Sequence, residues 1–121
     1  MMAEIDPSAK IGNNVTMDDN TVIQGKVQIG NDCVFGKKTV IEKRAVIGSR
    51  VTLGNECVIE KDVNIGDDCV LGTNVVIEKQ TVIGKGVKMG DDVVIEKNAT
   101  VLDNAVISTN TVLEAGKTFP E

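Results

Sequence analysis

The sequence predicts an all-β fold: a single-stranded parallel β-helix of triangular cross-section, with about six to seven coils and no inserted loop. Three observations carry this. Every sixth residue from Ile5 to Phe119 is apolar, twenty anchors without a slip. That period matches neither the 3.6-residue rhythm of an amphipathic helix nor a simple strand alternation. All twelve glycines and both prolines fall in the three positions after an anchor, and none falls elsewhere. Finally, a slower rhythm of Gly, Gly, Glu follows successive anchors, as in Gly48, Gly54, Glu60 and Gly66, Gly72, Glu78.

The strand of each hexad comes first. With the anchor as position one, position five is small or β-branched, as in Val27, Cys33, Thr39, Ala45 and Val51. Alternate side chains of a strand share a face. Positions five and one therefore point inward and position six points outward, in strands of three residues. Lys117 is the only charged residue among all inward positions. The corner follows, at positions two to four. Asn and Asp crowd position four (Asn14, Asp32, Asp68, Asn74, Asp92, Asn98), and these types tolerate the left-handed backbone that tight corners need. The Gly-Gly-Glu triplet then groups three hexads into one coil of eighteen residues, so the coil has three sides. With strands ~4.8 Å apart, about 6.7 coils make a rod of roughly 32 Å, filled with Ile, Leu and Val.

A length of 121 residues fits one domain, and hexads from about 5 to 119 leave no room for a second, so 1–121 is a single β-helix domain. The net charge of −5 without a basic cluster argues against nucleic acid and anionic membranes as partners. No stretch approaches the ~18 consecutive apolar residues of a membrane span, and no apolar h-region follows the start, so a cytoplasmic location is expected. Three cysteines without paired spacing do not make a disulfide framework. Cys33, Cys57 and Cys69 occupy position five, where small core residues belong.

Stretches such as Ile47-Gly48-Ser49-Arg50-Val51-Thr52 and Ile65-Gly66-Asp67-Asp68-Cys69-Val70 resemble the hexapeptide-repeat, or isoleucine-patch, superfamily (trimeric LpxA-like proteins). The resemblance covers almost the whole chain. It implies a left-handed winding, acyl transfer from coenzyme A or acyl carrier protein to sugar or amino-sugar acceptors, and trimers with sites between subunits. One branch of that superfamily holds zinc with three histidines, and other members are non-catalytic assembly tails.

The chain contains no histidine. The usual imidazole base of the transferases, suited to proton transfer near neutral pH, has nothing to map onto. The zinc ligands are absent with it. No catalytic residue and no metal ligand is therefore expected. Glu42, Glu60, Glu78, Glu96 and Glu114 line one corner, but a surface Glu is a weak base at pH 7. Lys43, Lys61, Lys79 and Lys97 follow them directly, so the two columns read as a solvated edge of alternating sign.

The outward positions carry the remaining signal. On one side they read Val22, Val40, Val58, Val76, Val94 and Val112, without interruption. The other two sides hold polar residues in about half of the same places, so β-propensity alone does not select six valines. Such a column is expected to expose a few hundred Å² of apolar surface, on the order of the largest patch on a monomer. It is the expected interface of a homo-oligomer, with a trimer favoured by the resemblance. Glu42, Glu60, Glu78, Glu96, Lys43, Lys61, Lys79 and Lys97 would form its polar rim. Leu102 interrupts the corner column Gly12, Gly30, Gly48, Gly66, Gly84 and suggests that the last coils differ.

The functional expectation is a non-catalytic or degenerate scaffold related to the hexapeptide acyltransferases, with no cofactor. The alternative is an acyltransferase lacking the usual histidine, which would bind coenzyme A. An ice-binding surface needs a flat ladder of outward threonines, and Thr16, Thr52, Thr100 and Thr118 are scattered over two sides.

Overall fold

Residues 3–121 are described by a computed structural model. Its strands are only two residues long, positions six and one of each hexad, shorter than the three expected. Position five keeps its inward orientation but belongs to the corner's end. Strands this short have no sheet of their own to join. They are held by stacking on the coils on either side.

The stacking builds three parallel sheets. The first face carries Glu4–Ile5, Val22–Ile23, Val40–Ile41, Val58–Ile59, Val76–Ile77, Val94–Ile95 and Val112–Leu113. The second carries Lys10–Ile11, Gln28–Ile29, Val46–Ile47, Asn64–Ile65, Val82–Ile83, Thr100–Val101 and Thr118–Phe119. The third carries Val34–Phe35, Thr52–Leu53, Val70–Leu71, Lys88–Met89 and Val106–Ile107, with Thr16 bridged to Val34. Every register is eighteen residues: Val40 lies on Val58, Asn64 on Val82, Val70 on Lys88. The eighteen-residue coil with three sides is thus the architecture, and the left-handed winding of the resemblance is consistent with it.

Backbone bonds run from each coil to the next, as in Val40 N–H to the Cys57 carbonyl (3.0 Å) and Glu42 N–H to that of Ile59 (2.8 Å). The corners turn at position four, where fifteen non-glycine residues have φ between 55° and 67°. Left-handed backbone costs a side-chain-bearing residue ~1 kcal/mol or more. The turn is held because the N–H of most such residues finds the position-three carbonyl of the preceding coil, as in Gln80 to Lys61 (3.1 Å) and Asn98 to Lys79 (3.1 Å), while Lys26 and Lys38 donate to Ser8 Oγ and Asp18 Oδ1.

The interior is the predicted stack. Ile41, Ile59, Ile77 and Ile95 are fully buried, alternating with Val27, Val63, Val75 and Val93 at position five. Three buried threonines keep their hydroxyls bonded; Thr39 Oγ1 donates to the Gly36 carbonyl (3.0 Å) and Thr81 Oγ1 to that of Glu96 (3.1 Å). Among the described residues no buried side-chain polar atom lacks a partner. No helix of the structure is long and apolar enough to cross a membrane.

Candidate functional site

The strand ladder brings Val22, Val40, Val58, Val76, Val94 and Val112 into one vertical column, each in register with the next. Glu4 continues the column at its N-terminal end, on Val22. The second and third faces are different in kind. Their outward columns alternate: Gln28, Val46, Asn64, Val82, Thr100 on one, Thr16, Val34, Thr52, Val70, Lys88, Val106 on the other. No two outward valines touch along either ladder. The first face is therefore the one continuous apolar column among the described residues.

Its exposure departs from expectation. Val34, Val70 and Val82 are 47, 42 and 46 % exposed, whereas Val22, Val40, Val58, Val76 and Val94 are half-buried, and only Val112 at the end is open. Position two shares the outward side of the strand with position six. After the first face that position is Gln or Glu, long enough to lie beside the valine, although Val112 next to Glu114 stays open. After the other faces it is mostly Gly, which covers nothing. The valine face is therefore a shallow, flanked strip rather than a bare ridge.

The acidic rim also differs from a simply solvated edge. The Glu60, Glu78 and Glu96 carboxylates each accept the backbone N–H nineteen residues on, from Lys79, Lys97 and Ala115, each at 3.1 Å. Gln24 serves Lys43 in the same way. These glutamates are half-buried. No ion pair joins them to Lys43, Lys61, Lys79 or Lys97 among the described residues, where the pairs are Arg44–Asp62 and Arg50 with Asp67 and Asp68. Arg44 and Arg50 hold Asp62 and Asp68 bidentately, and each guanidinium keeps its partner's carboxyl below the usual range.

The glycine corners solve the same problem differently. There the position-three N–H is capped by the position-three side chain of the next coil: Asn31 N–H by Ser49 Oγ (3.0 Å), Ser49 N–H by Asp67 Oδ1 (2.8 Å), Thr73 N–H by Asp91 Oδ1 (2.8 Å). The oxygen sits where a Cβ would be, so position two must be glycine. A methyl on Gly54 would lie 2.6 Å from the Gly72 carbonyl carbon and 2.7 Å from Thr73 N. Leu102, where that corner column otherwise holds glycine, is 46 % exposed.

The cysteines are core residues, as their positions suggested. All three are buried and unbridged. Each thiol donates to a corner carbonyl: Cys33 to Gly48, Cys57 to Gly72, Cys69 to Gly84, at 3.2, 3.1 and 3.0 Å. Burial pushes each thiol above its ordinary pKa, which removes nucleophilic character. Among the described residues no group of three His, Cys, Asp or Glu side chains could hold a metal ion.

Sequence alone did not expose the capping role of the glutamates. The separation of valines on the two other faces was noted only as polar residues in about half the places, although a 36-residue spacing of the outward valines was there to be read.

The fold has many solved counterparts. The acetyltransferase domain of PglB from Neisseria gonorrhoeae superposes with a TM-score of 0.67 at 20% identity, over 96% of this chain and 53% of that one. A hexapeptide transferase family protein from Anaplasma phagocytophilum gives 0.65 at 17% identity, over 96% and 72%. PerB from Caulobacter crescentus, in complex with CoA and GDP-perosamine, gives 0.62 at 18%, over 94% and 52%. This chain therefore spans about half the length of the PglB domain and of PerB. No curated protein matches the sequence. The hexapeptide repeat of succinyl-transferase matches residues 62–103, and the GMPPB C-terminal domain matches residues 1–82. With that match over more than half its length, and with coils of six-residue units throughout, the chain belongs to the family of the GMPPB C-terminal domain, within the hexapeptide-repeat superfamily.

Proposed function

We propose that this chain is a non-catalytic β-solenoid module that assembles subunits, packing its valine face against further copies of itself. The carrying observation is the contrast between faces: six outward valines in one ladder against columns on the other two in which polar residues separate every valine from the next. Alternation breaks an apolar surface into isolated spots, which a soluble protein tolerates anywhere. An unbroken column on one face alone is the pattern of a surface that is covered. Superfamily resemblance would make the assembly a trimer, in the cytoplasm and without a cofactor.

The acyl-transfer alternative draws on the fold of neighbours such as PerB, whose structure contains CoA. Against it stand the corner carboxylates. Glu60, Glu78 and Glu96, the bases that a histidine-free transferase would need, already accept backbone N–H groups.

The test is the mass of the particle by light scattering, for the wild type and for Val58→Lys and Val76→Lys. A lysine in the middle of the column keeps the strand but places a charge in the contact. An assembled wild type and single-chain variants are expected. A wild type of one chain, 12.8 kDa, at every concentration would overturn the reading.

A further inference from the structure

We propose that the corner between the first and second faces, at the height of Lys10, Lys26 and Lys43, binds a diphosphate group, free or borne by a nucleotide. The inference concerns a different part of the surface from the valine column and does not depend on assembly.

The molecule is electrically lopsided. Residues 1–50 hold seven Lys and Arg against six Asp and Glu, whereas residues 51–121 hold six against twelve. The coil concentrates the positive half further. Lys10, Lys26, Lys43 and Arg44 are scattered in sequence. Stacking puts them on three successive coils along one edge, since Lys10 lies on Gln28 and Arg44 N–H bonds the Gly25 carbonyl. All four are exposed. A chain of net charge −5 thus carries a local basic patch.

The edge also departs from its own repeat at this height. Further along, positions two and three are Glu and Lys, as in Glu60-Lys61, Glu78-Lys79 and Glu96-Lys97. Here they are Gln24-Gly25. The amide replaces a carboxylate that would repel an anion. The glycine removes a side chain, and a shallow depression lies there between Ser8, Lys26, Lys43 and Arg44. A second depression shares Ser8 and Lys26 with the first and adds Lys10 and Gln28. Lys10 and Gln28 lead on into a groove along the second face, beside Gly12, Gly30 and Val46. The three form one trough.

Asp6 is the single acid lining this trough among the described residues. It already accepts the Ser8 N–H (2.9 Å) and the Ser8 hydroxyl (2.7 Å). Arg44 holds Asp62 through Nε and Nη2, at 2.8 and 3.0 Å, which leaves its other N–H donors for a ligand. No ion pair engages Lys10, Lys26 or Lys43 among the described residues. Cations on coils ~4.8 Å apart repel one another, and an anion set between them relieves that repulsion. Two adjoining depressions with Lys26 in common match two linked phosphoryl groups, and the groove beside Val46 offers an apolar floor to a nucleoside. Exposed ion pairs contribute ~0.2–1 kcal/mol each, so four cations give a dissociation constant of about a millimolar.

Titration of the full chain, labelled with nitrogen-15, with inorganic pyrophosphate, orthophosphate and ADP tests the site through amide chemical shifts. Pyrophosphate is expected to shift residues 8–10, 24–28 and 43–44, and orthophosphate to bind about tenfold more weakly. Lys26→Glu and Lys10→Glu are each expected to weaken pyrophosphate about tenfold, while Lys79→Glu leaves it unchanged. Both changes suit the fold: Glu56 already turns a left-handed corner at φ 58°, and Lys10 points outward from a strand. ADP binding tighter than pyrophosphate, with added shifts at Gly12 and Gly30, would assign the diphosphate to a nucleotide; equal or weaker binding would assign it to the free anion. Shifts of equal size at Lys79 and Lys97, as for any surface lysine, would overturn the site. So would no localised shift at about 10 mM pyrophosphate, or a Lys26→Glu chain that binds as the wild type does. None of these failures touches the assembly reading, which particle mass decides.

Discussion

A glycine in this chain is placed by what lies above it. Gly54 has ordinary backbone angles, and its missing side chain makes room for the Gly72–Thr73 backbone of the next coil. Gly54→Ala is expected to destabilise the fold by about 1–3 kcal/mol, the cost of forcing atoms into a filled space, measured as a shift in the urea midpoint. The hexad rule was legible in the sequence at this scale because burial depends on alternation along a single strand, as buried Val51 and Leu53 on either side of exposed Thr52 illustrate. The reason for the glycines was not legible. It lies in a contact with residues eighteen or nineteen positions away, and local spacing suggests only a flexible corner.

At the scale of the corner, the backbone N–H at position three is at many corners bonded by a side chain from an adjacent coil. Two of the three columns use an Asn, Asp, Ser or Thr from the next coil, which demands glycine at position two. The third uses a Glu from the coil before, which fills the same position with a side chain. The Gly, Gly, Glu rhythm is thus a record of two capping schemes. Glu78→Gln keeps an acceptor for Lys97 N–H and is expected to leave stability nearly unchanged. Glu78→Ala removes the acceptor and is expected to cost about 0.5–1.5 kcal/mol by chemical denaturation. The rhythm itself was visible in the sequence and gave the three sides. That the acidic column is bonded to backbone was hidden, because Glu and Lys side by side read equally well as solvated charge. The half-burial of Val40 and Val58 was hidden for a related reason: it depends on neighbours in the stacked coils and not on strand alternation alone.

Across the whole molecule, stability is a sum over neighbouring coils. The middle coils have a coil on each side and fully buried anchors, Ile41, Ile59 and Ile77. The first coil has a neighbour on one side only, and its anchor Ile5 is 44 % exposed. At the other end Leu113 and Phe119 are only partly covered. Amide hydrogen exchange is expected to be slowest for Val58, Asn64 and Val76 and fastest in the two end coils, which fray without global unfolding. Uniform protection from end to end would show that the chain opens as one unit. The three-sided coil and its eighteen-residue register were readable from the sequence, since burying every sixth anchor requires them, whereas strand length was not: position five points inward but belongs to the corner. Assembly is where reading from sequence stopped: the valine column was plain, but the half-burial of Val40, Val58 and Val76 acquires meaning only when each coil is assigned its height on a rod.

That assignment has an evolutionary corollary. Each lap hands its bonds to the lap eighteen positions later, so chain length is quantised. Duplicating one lap of the gene lengthens the molecule by a fixed step of ~4.8 Å and leaves every other bond intact. Inserting one codon turns all subsequent anchors toward water. Lineages that carry this architecture can therefore grow or shrink only by whole storeys, and a partner surface built along the wall must change in the same increments.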